Sequence, residues 1–316
     1  MIQFILRRLL AAVPVLLLVS LISASIMHLV PGDAATVIAG QNATDAEIAQ
    51  LREQLGLNRP FPVKLAHWYA DLARGDLGKS ILLNRPVTQA IAERVPVTLA
   101  LAGFALLLTV AIGVPCGIVA AIRANTWVDQ AVLTLALVGV SVPNFWLSLM
   151  LIVLFGVMLD WLPAGGYVPF ADNPAEWVRS LILPGISLAL LQIGLLARIT
   201  RATVLEILQQ DYIRTARAKG LPRLMVIGKH VLKNVLVPVV TVVGISFGLL
   251  LSGSVVIETV YSIPGMGRLL ANAIFGRDYP LIQGGLLITA AVLVLLNLVV
   301  DVLYAVIDPR IQYDQR

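Results

Sequence analysis

Long apolar runs, each bounded by a few polar residues, recur along this chain. Leu9 to Val30 carries no charge over 22 residues. Five more uncharged runs follow: Val95 to Ile122, Gln130 to Leu159, Ser180 to Ala197, Asn234 to Ile257 and Tyr279 to Val300. A hydrocarbon core about 30 Å thick takes about 20 residues of helix to cross, and each run approaches or exceeds that length. In hydrocarbon every backbone N–H and C=O must find its partner within the protein, so runs this long cross as helices. The pattern predicts an all-α polytopic membrane protein with six transmembrane helices. Arg7 and Arg8 precede the first run, as in a signal peptide. A signal peptide's apolar core is only about 7 to 15 residues, so the run over 1–30 reads as a retained first span. Pro115, Pro143, Pro184 and Pro238 lie in or beside the spans, where proline is tolerated and often marks a kink. Gly113 with Gly117, and Gly244 with Gly248, are small pairs four apart that let helices pack closely.

One segment breaks the rhythm. Pro31 to Pro96 holds seven basic and seven acidic residues and reads as a small helical insert outside the membrane, over 31–96. Thr44 and Glu47 have capping-box spacing; Ile48, Leu51 and Leu55 share a helical face, and Gly56 is the expected stop. Pro62 is placed to open a second helix, with Leu65, Trp68, Tyr69 and Leu72 on one face and Gly75 at its end. Val87, Ile91 and Val95 mark a third short amphipathic piece. Such a lid serves packing on the membrane part, docking of an external partner, or both. Gly78-Lys79-Ser80 imitates the end of the phosphate-binding pattern G-x-x-x-x-G-K-[ST]. Ala73 stands where the first glycine belongs, and no strand pattern precedes it, so no nucleotide is expected on this chain.

Composition agrees with a lipid-facing surface. Of 316 residues, 59% are hydrophobic and 13% charged, against ~25% charged in a globular domain; the mean hydropathy is +0.90. A net charge of +5 would suit nucleic acid, but its placement argues otherwise. One side of the six-span arrangement holds Arg7, Arg8, Arg123, Arg198, Arg201, Arg214, Arg217, Lys219, Arg223, Lys229, Lys233, Arg310 and Arg316. The short segments of the other side hold Arg179, Arg268 and Arg277. Basic residues of short loops stay cytoplasmic, whereas long inserts cross regardless of charge. Both termini and the loop 198–233 are therefore expected inside, the insert outside, and no nucleic acid is needed to explain the charge. The single cysteine, Cys116, leaves no disulfide within the chain and no multi-cysteine metal site. His28, His67 and His230 are widely separated and read as structural. Asp301 is the acid deepest in an apolar run, about 9 Å of helix from the cytoplasmic end at 1.5 Å per residue. Pairing with an arginine at the end of the fourth span is favoured for it over a proton relay.

Most of the remaining chemistry is in one polar stretch, Asp211 to Asn234, which carries Arg214, Arg217, Lys219, Arg223, Lys229 and Lys233 against Asp211. Asp211 is placed to cap a short helix running to Gly220, where the chain can stop with positive φ. Ile213, Ala216 and Gly220 share a small, mildly apolar face suited to close approach by another protein. Pro222 breaks the chain, and Leu224, Ile227, Val231 and Val235 mark a second helix leading into the fifth span. A helix–break–helix across a membrane mouth can act as a lever on the fourth and fifth spans. The same residues also suit a plain cytoplasmic loop facing anionic lipid.

Thr215-Ala216-Arg217-Ala218-Lys219-Gly220 decides between them by resemblance. It is similar to the cytoplasmic signature E-A-A-x-x-x-G of membrane subunits of bacterial ATP-binding-cassette importers of the dipeptide, oligopeptide and nickel type. Arg214 and Thr215 replace the first Glu and Ala, and Pro238 follows at a longer distance than in sugar importers; T-A-R-A-K-G is the habitual form in the peptide branch. The resemblance extends over nearly the whole chain, through Pro31-Gly32-Asp33, Leu55-Gly56-Leu57, Gly75-Asp76-Leu77-Gly78, Leu162-Pro163 and Ile182-Leu183-Pro184-Gly185. It continues through His230 to Pro238, Pro264-Gly265-Met266-Gly267-Arg268, Arg277-Asp278-Tyr279-Pro280 and Asp308-Pro309-Arg310.

The resemblance implies a type I importer permease fold in a bacterial inner membrane, with a five-helix core over 97–310 and a cytoplasmic tail over 311–316. It implies a sister permease, usually a different chain, two cytoplasmic ATPases that hold ATP and Mg, and a periplasmic substrate-binding protein. The chain itself would be no enzyme and would hold no cofactor or metal. Arg214, Thr215, Ala216, Arg217, Lys219 and Gly220 would be the ATPase-coupling residues. The external region from Glu258 to Arg268, with Pro264, Gly265, Gly267 and Arg268 in its turn, is the expected docking surface for the binding protein. The solute would be a di- or oligopeptide or a related small molecule. The alternatives are an ion-coupled secondary transporter, an intramembrane protease and a passive channel. The first should show inverted repeats and several intramembrane charges; the second needs a base that the later spans, lacking histidine, do not supply.

Overall fold

The computed structural model describes residues 2–29, 36, 43–54, 60–222 and 225–307. Gly56 as a helix stop, Leu224 and Arg223 of the polar stretch, the motif segments at 31–33 and 55–57, and the end over 308–316 lie outside the described residues. Among the described residues the structure is helical, with no sheet and a single isolated bridge between Lys79 and Pro86. The helices are α1 (Ile2–Leu29), α2 (Asp45–Gln54), α3 (Phe61–Ala73), α4 (Val87–Ile122), α5 (Trp127–Ser141), α6 (Asn144–Leu151), α7 (Pro174–Leu208), α8 (Asp211–Ala218), α9 (Leu232–Val260), α10 (Met266–Phe275) and α11 (Tyr279–Ile307). π-helical segments extend α6 over Ile152–Met158 and precede α9 over Val226–Val231.

Five helices are long and apolar enough to cross a membrane, and α5 with extended α6 makes a sixth if that bent pair is one span. The expected span from Gln130 to Leu159 is therefore not one rod: its halves meet at 101°. Pro143 is the cause. Proline has no N–H to give and pushes the preceding residue out of the helical region, and Val142 is extended at φ −82°, ψ 124°.

The helices divide into two compact units. The first comprises Met1–Val97 with Gly265–Leu298. In it α2 opens with the expected capping box: the Thr44 N–H and hydroxyl donate to Glu47 (2.8 and 2.9 Å), and the Glu47 N–H reaches back to Thr44 Oγ1 (3.4 Å). These donors hold the Glu47 carboxyl below its usual range. Leu65, Trp68, Tyr69 and Leu72 are all half-buried along α3, and Tyr69 Oη lies 2.7 Å from Ser20 Oγ of α1. The short piece expected at Val87–Val95 is the start of α4, which runs unbroken past Pro96. Its residues Val87 and Ile91 pack with Leu77, Met266, Leu269 and Leu281 in this unit's core.

The second unit comprises Thr98–Pro264 with Val299–Arg316. Its centre is α7, of whose apolar stretch 67% is buried, against 33% or less in the other four long spans. Asn173 caps α7, accepting from the N–H groups of Ala175 and Glu176 (3.1 and 3.2 Å). Small residues let the neighbours come close. A Cβ on Gly117 of α4 would lie 2.5 Å from the Ala197 carbonyl oxygen, and one on Gly194 of α7 would lie 2.6 Å from that of Ala136 on α5. Six of the buried polar side chains are matched in pairs: Ser187 with Tyr261 (3.0 Å), Ser246 with Gln192 (3.2 Å) and Thr98 with Glu258 (2.6 Å).

Candidate coupling surface

The polar stretch folds as the short helix α8, and backbone chemistry explains its ends. Gln210, rather than the expected Asp211, is the residue before the helix. It is extended (ψ 147°), and its carbonyl accepts from the N–H groups of Ile213 and Arg214 (3.0 and 3.2 Å). Asp211 sits in the first turn, where a carboxylate complements the helix dipole. The other end is a Schellman motif: the Leu221 N–H donates to the Ala216 carbonyl (3.3 Å) and the Gly220 N–H to that of Arg217 (2.9 Å). Gly220 has φ +77°, the left-handed conformation that such a stop requires.

The two faces of α8 do different things. Ile213 and Ala216 are buried, at 0% and 7% exposure. They pack with Val204 and Ile207 of α7, Val226 and Val231 of the π-helical turn, Val235 and Val239 of α9, and Ala121 of α4. This corrects the expectation of one open face over Ile213, Ala216 and Gly220: the first two are packed on the chain's own core, and Gly220 alone of the three is exposed. Ala216 is accordingly turned inward, into the cluster. Leu221, which closes the Schellman motif, packs on the same cluster. The outward face holds Arg214, Thr215, Arg217, Lys219 and Gly220, all exposed, with Tyr212 and Ala218 beside them. Arg214 lies 3.5 Å from Asp211 in a pair open to solvent, which contributes little. The Asn234 amide donates to Tyr212 Oη (3.2 Å) and ties α8 to α9.

The second helix of the stretch begins with a π-helical turn, which changes its buried face. Periodicity put Ile227 inward; the structure buries Val226 instead and leaves Ile227 half-buried. A π turn bonds i to i+5, so Val226 and Val231 fall on one side, and normal spacing resumes at Val235 and Val239.

Near this surface lies a pair that the sequence reading missed. Arg201 of α7 donates to Asp129 of α5 through Nε (2.5 Å) and Nη2 (2.7 Å), and the Asn125 N–H adds a third bond (2.9 Å). Arg201 had been counted only for its charge. The available signal was positional, since opposite charges close the facing ends of the third and fourth apolar runs. Arg201 is thus engaged by Asp129.

The turn expected to dock a binding protein is less open than its sequence suggested. Gly265 and Gly267 are buried and Pro264 and Arg268 half-buried; Glu258, Tyr261 and Ile263 are buried as well. Gly78-Lys79-Ser80 is part of a clasp within the first unit. Ser80 Oγ donates to buried Asp278 (2.5 Å), which also accepts from the Leu82 N–H (3.0 Å). The serine hydroxyl that a phosphate-binding loop would turn to its ligand is spent inside. Among the described residues no group of three or more His, Cys, Asp or Glu could hold a metal ion.

Comparison with known proteins bears on this geometry. A family model described as "Binding-protein-dependent transport system inner membrane component" matches residues 113–313, and its N-terminal counterpart matches residues 1–102. A protein of Brucella abortus (strain 2308), named as a peptide transport system permease, is 49% identical over 314 residues, covering 99% of this chain and 100% of its own length. The dipeptide transport system permease protein DppB of Alkalihalophilus pseudofirmus is 44% identical over 337 residues, with coverage of 99% and 100%. The glutathione transport system permease protein GsiC of Salmonella choleraesuis is 43% identical over 313 residues, with the same coverage. Among solved structures, a chain of the MetNI methionine ABC transporter in inward facing conformations superposes with a TM-score of 0.59. It is 19% identical, over 70% of this chain and 97% of that one, so the likeness is one of fold.

Proposed function

The chain belongs to the family of inner membrane components of binding-protein-dependent transport systems, and we propose from that premise that it forms, with a sister permease, the membrane path of an importer for di- or oligopeptides or a related small solute. It is a multi-pass membrane protein and a permease subunit; the ATPase of such a transporter is on other chains. ATP and Mg act there, and a periplasmic binding protein delivers the solute from the side of the 31–96 insert. Both termini and α8 face the cytoplasm. The relatives support the solute class, since those above are named for peptides, dipeptides and glutathione, all short chains of amide-linked residues.

The observation that carries the coupling role is the two-sidedness of α8. Its outward face presents Arg214, Thr215, Arg217, Lys219 and Gly220, while its inward face is fixed to α4, α7 and α9 through one apolar cluster. A force applied to the outward face by an ATPase is delivered to three membrane helices at once. Close packing makes this possible, because interiors at crystal-like density transmit displacement instead of absorbing it. None of the relatives described above is named as an ion-coupled transporter.

The test is a mild-detergent purification of the tagged chain from its host, with mass spectrometry of what accompanies it. Two ATPase chains and a second permease are expected. A folded, monodisperse chain recovered alone would overturn the reading and bring a self-contained transporter forward.

A further inference from the structure

We infer that the Asp129–Arg201 pair is a brace that makes α5 travel with α7 when α8 is pushed. The inference deepens the coupling role proposed above and rests on it. The apolar cluster under α8 draws on α4, α7 and α9 and includes no residue of α5 among the described residues. Elsewhere between α5 and α7, Gly139 lies against Leu190 and Gly194 against Ala136; the Asp129–Arg201 pair adds a directional tie close to the α8 end of α7. A two-pronged guanidinium–carboxylate contact fixes direction as well as distance, and Asp129 is held from its own side by the Asn125 N–H.

Its position fits the task. Arg201 is seven residues before the end of α7 at Leu208, about 10 Å at 1.5 Å per residue, and α8 begins three residues later at Asp211. Burial points the same way. Asp129 is 2% exposed and Arg201 half-buried, and an ion pair withdrawn in part from water is often no more stable than an apolar pair of the same size. Stability alone therefore gives little reason for an acid and a base here, whereas fixed relative geometry does. Asp129 and Arg201 are positioning residues: neither lies on the outward face of α8.

The test follows the distance between α5 and the end of α7 in the assembled transporter. Cys116 is first replaced by alanine, and spin labels are attached to cysteines placed at Leu137 and Gln209, both exposed. Distances are measured by electron paramagnetic resonance without nucleotide and after trapping with ATP and vanadate. With Asp129 and Arg201 intact, one narrow distribution is expected in both states. In Arg201→Lys, and in the double variant Asp129→Asn/Arg201→Gln, ATP turnover should persist while the trapped distribution broadens and splits. The double variant leaves no unpaired buried charge, so a merely structural pair predicts behaviour like the parent in it. A narrow, unchanged distribution in the double variant would overturn the brace, as would a parent distance that shifts on trapping. Failure of every variant to assemble would overturn it too, making the pair a folding requirement. Absence of ATP turnover in the parent assembly would instead bring down the coupling reading itself, before any variant is compared.

Discussion

Gly220 shows how much one backbone conformation decides. Its φ is +77°, and a Cβ there would meet nothing within 4 Å, so only the backbone resists substitution. Holding an ordinary residue in this conformation costs ~1–2 kcal/mol, less for Asn and Asp. Gly220→Ala is expected to weaken uptake and lower the unfolding temperature slightly, and Gly220→Asn to do so less. Gly220→Asp strains the backbone about as Asn does but adds a negative charge to the basic outward face. It is expected to reach the membrane in normal amount and abolish uptake; normal uptake would remove Gly220 from the coupling surface. Gly117 is the opposite case. Its φ is ordinary, but a Cβ would strike the Ala197 carbonyl at 2.5 Å and Thr200 Cβ at 2.6 Å. Overpacking of this kind costs ~1–3 kcal/mol, so Gly117→Ala should lower the melting temperature of the detergent-solubilised chain, while Gly103→Ala, with open space around it, should not.

Among the elements, the π-helical turn over Val226–Val231 sets how α8 meets its support. It turns Val226 into the cluster that Ile213 and Ala216 occupy. Inserting one alanine after exposed Gly228 adds a residue beyond the one that the π turn already absorbs and should rotate everything before it by about 100° relative to α9. The expected result is a chain that still inserts but no longer transports, with α8 cut readily by protease in inside-out vesicles. Gly228→Ala keeps the length, meets nothing within 4 Å and serves as the control. Protease resistance of the insertion variant equal to that of the parent would show that α8 is anchored without the turn. The capping box of α2, the stop of α3 before Gly75 and the Schellman end of α8 were all legible in sequence, because each is made by residues within a few positions of one another. The π turn was not, since nothing in Val226–Val231 departs from ordinary helical composition.

At the scale of the whole molecule, one geometric fact governs orientation. The pair α5 and α6, bent by 101°, either crosses the bilayer or enters and leaves on the same side. Crossing would place α8 on the same side as both termini, which the distribution of basic residues leads us to expect inside; re-entry would place α8 on the opposite side from the N-terminus. In a Cys116→Ala background, a cysteine at Thr44 is expected to react with an impermeant maleimide on spheroplasts, and one at Gln209 only after permeabilisation. Labelling of Gln209→Cys in intact spheroplasts would show a re-entrant pair and remove α8 from the reach of cytoplasmic ATPases.

What the sequence determined by itself is what local chemistry determines. Apolar length specified the membrane helices, capping and turn residues specified where many elements begin and end, and the charge asymmetry specified an expected orientation. Tertiary structure decided which surfaces are spent inside. The face of Ile213 and Ala216 looked free for a partner and is buried against Val226 and Val231; Gly265 and Gly267 looked like an open turn and are enclosed; Ser80 looked like part of a phosphate loop and is bound to Asp278. The reason is physical. Lipid and protein interior are both apolar, so a membrane helix carries little pattern to tell its packed side from its lipid side. The partner of a buried charge such as Asp129 is likewise chosen by helices that meet in space, 72 positions apart in the chain.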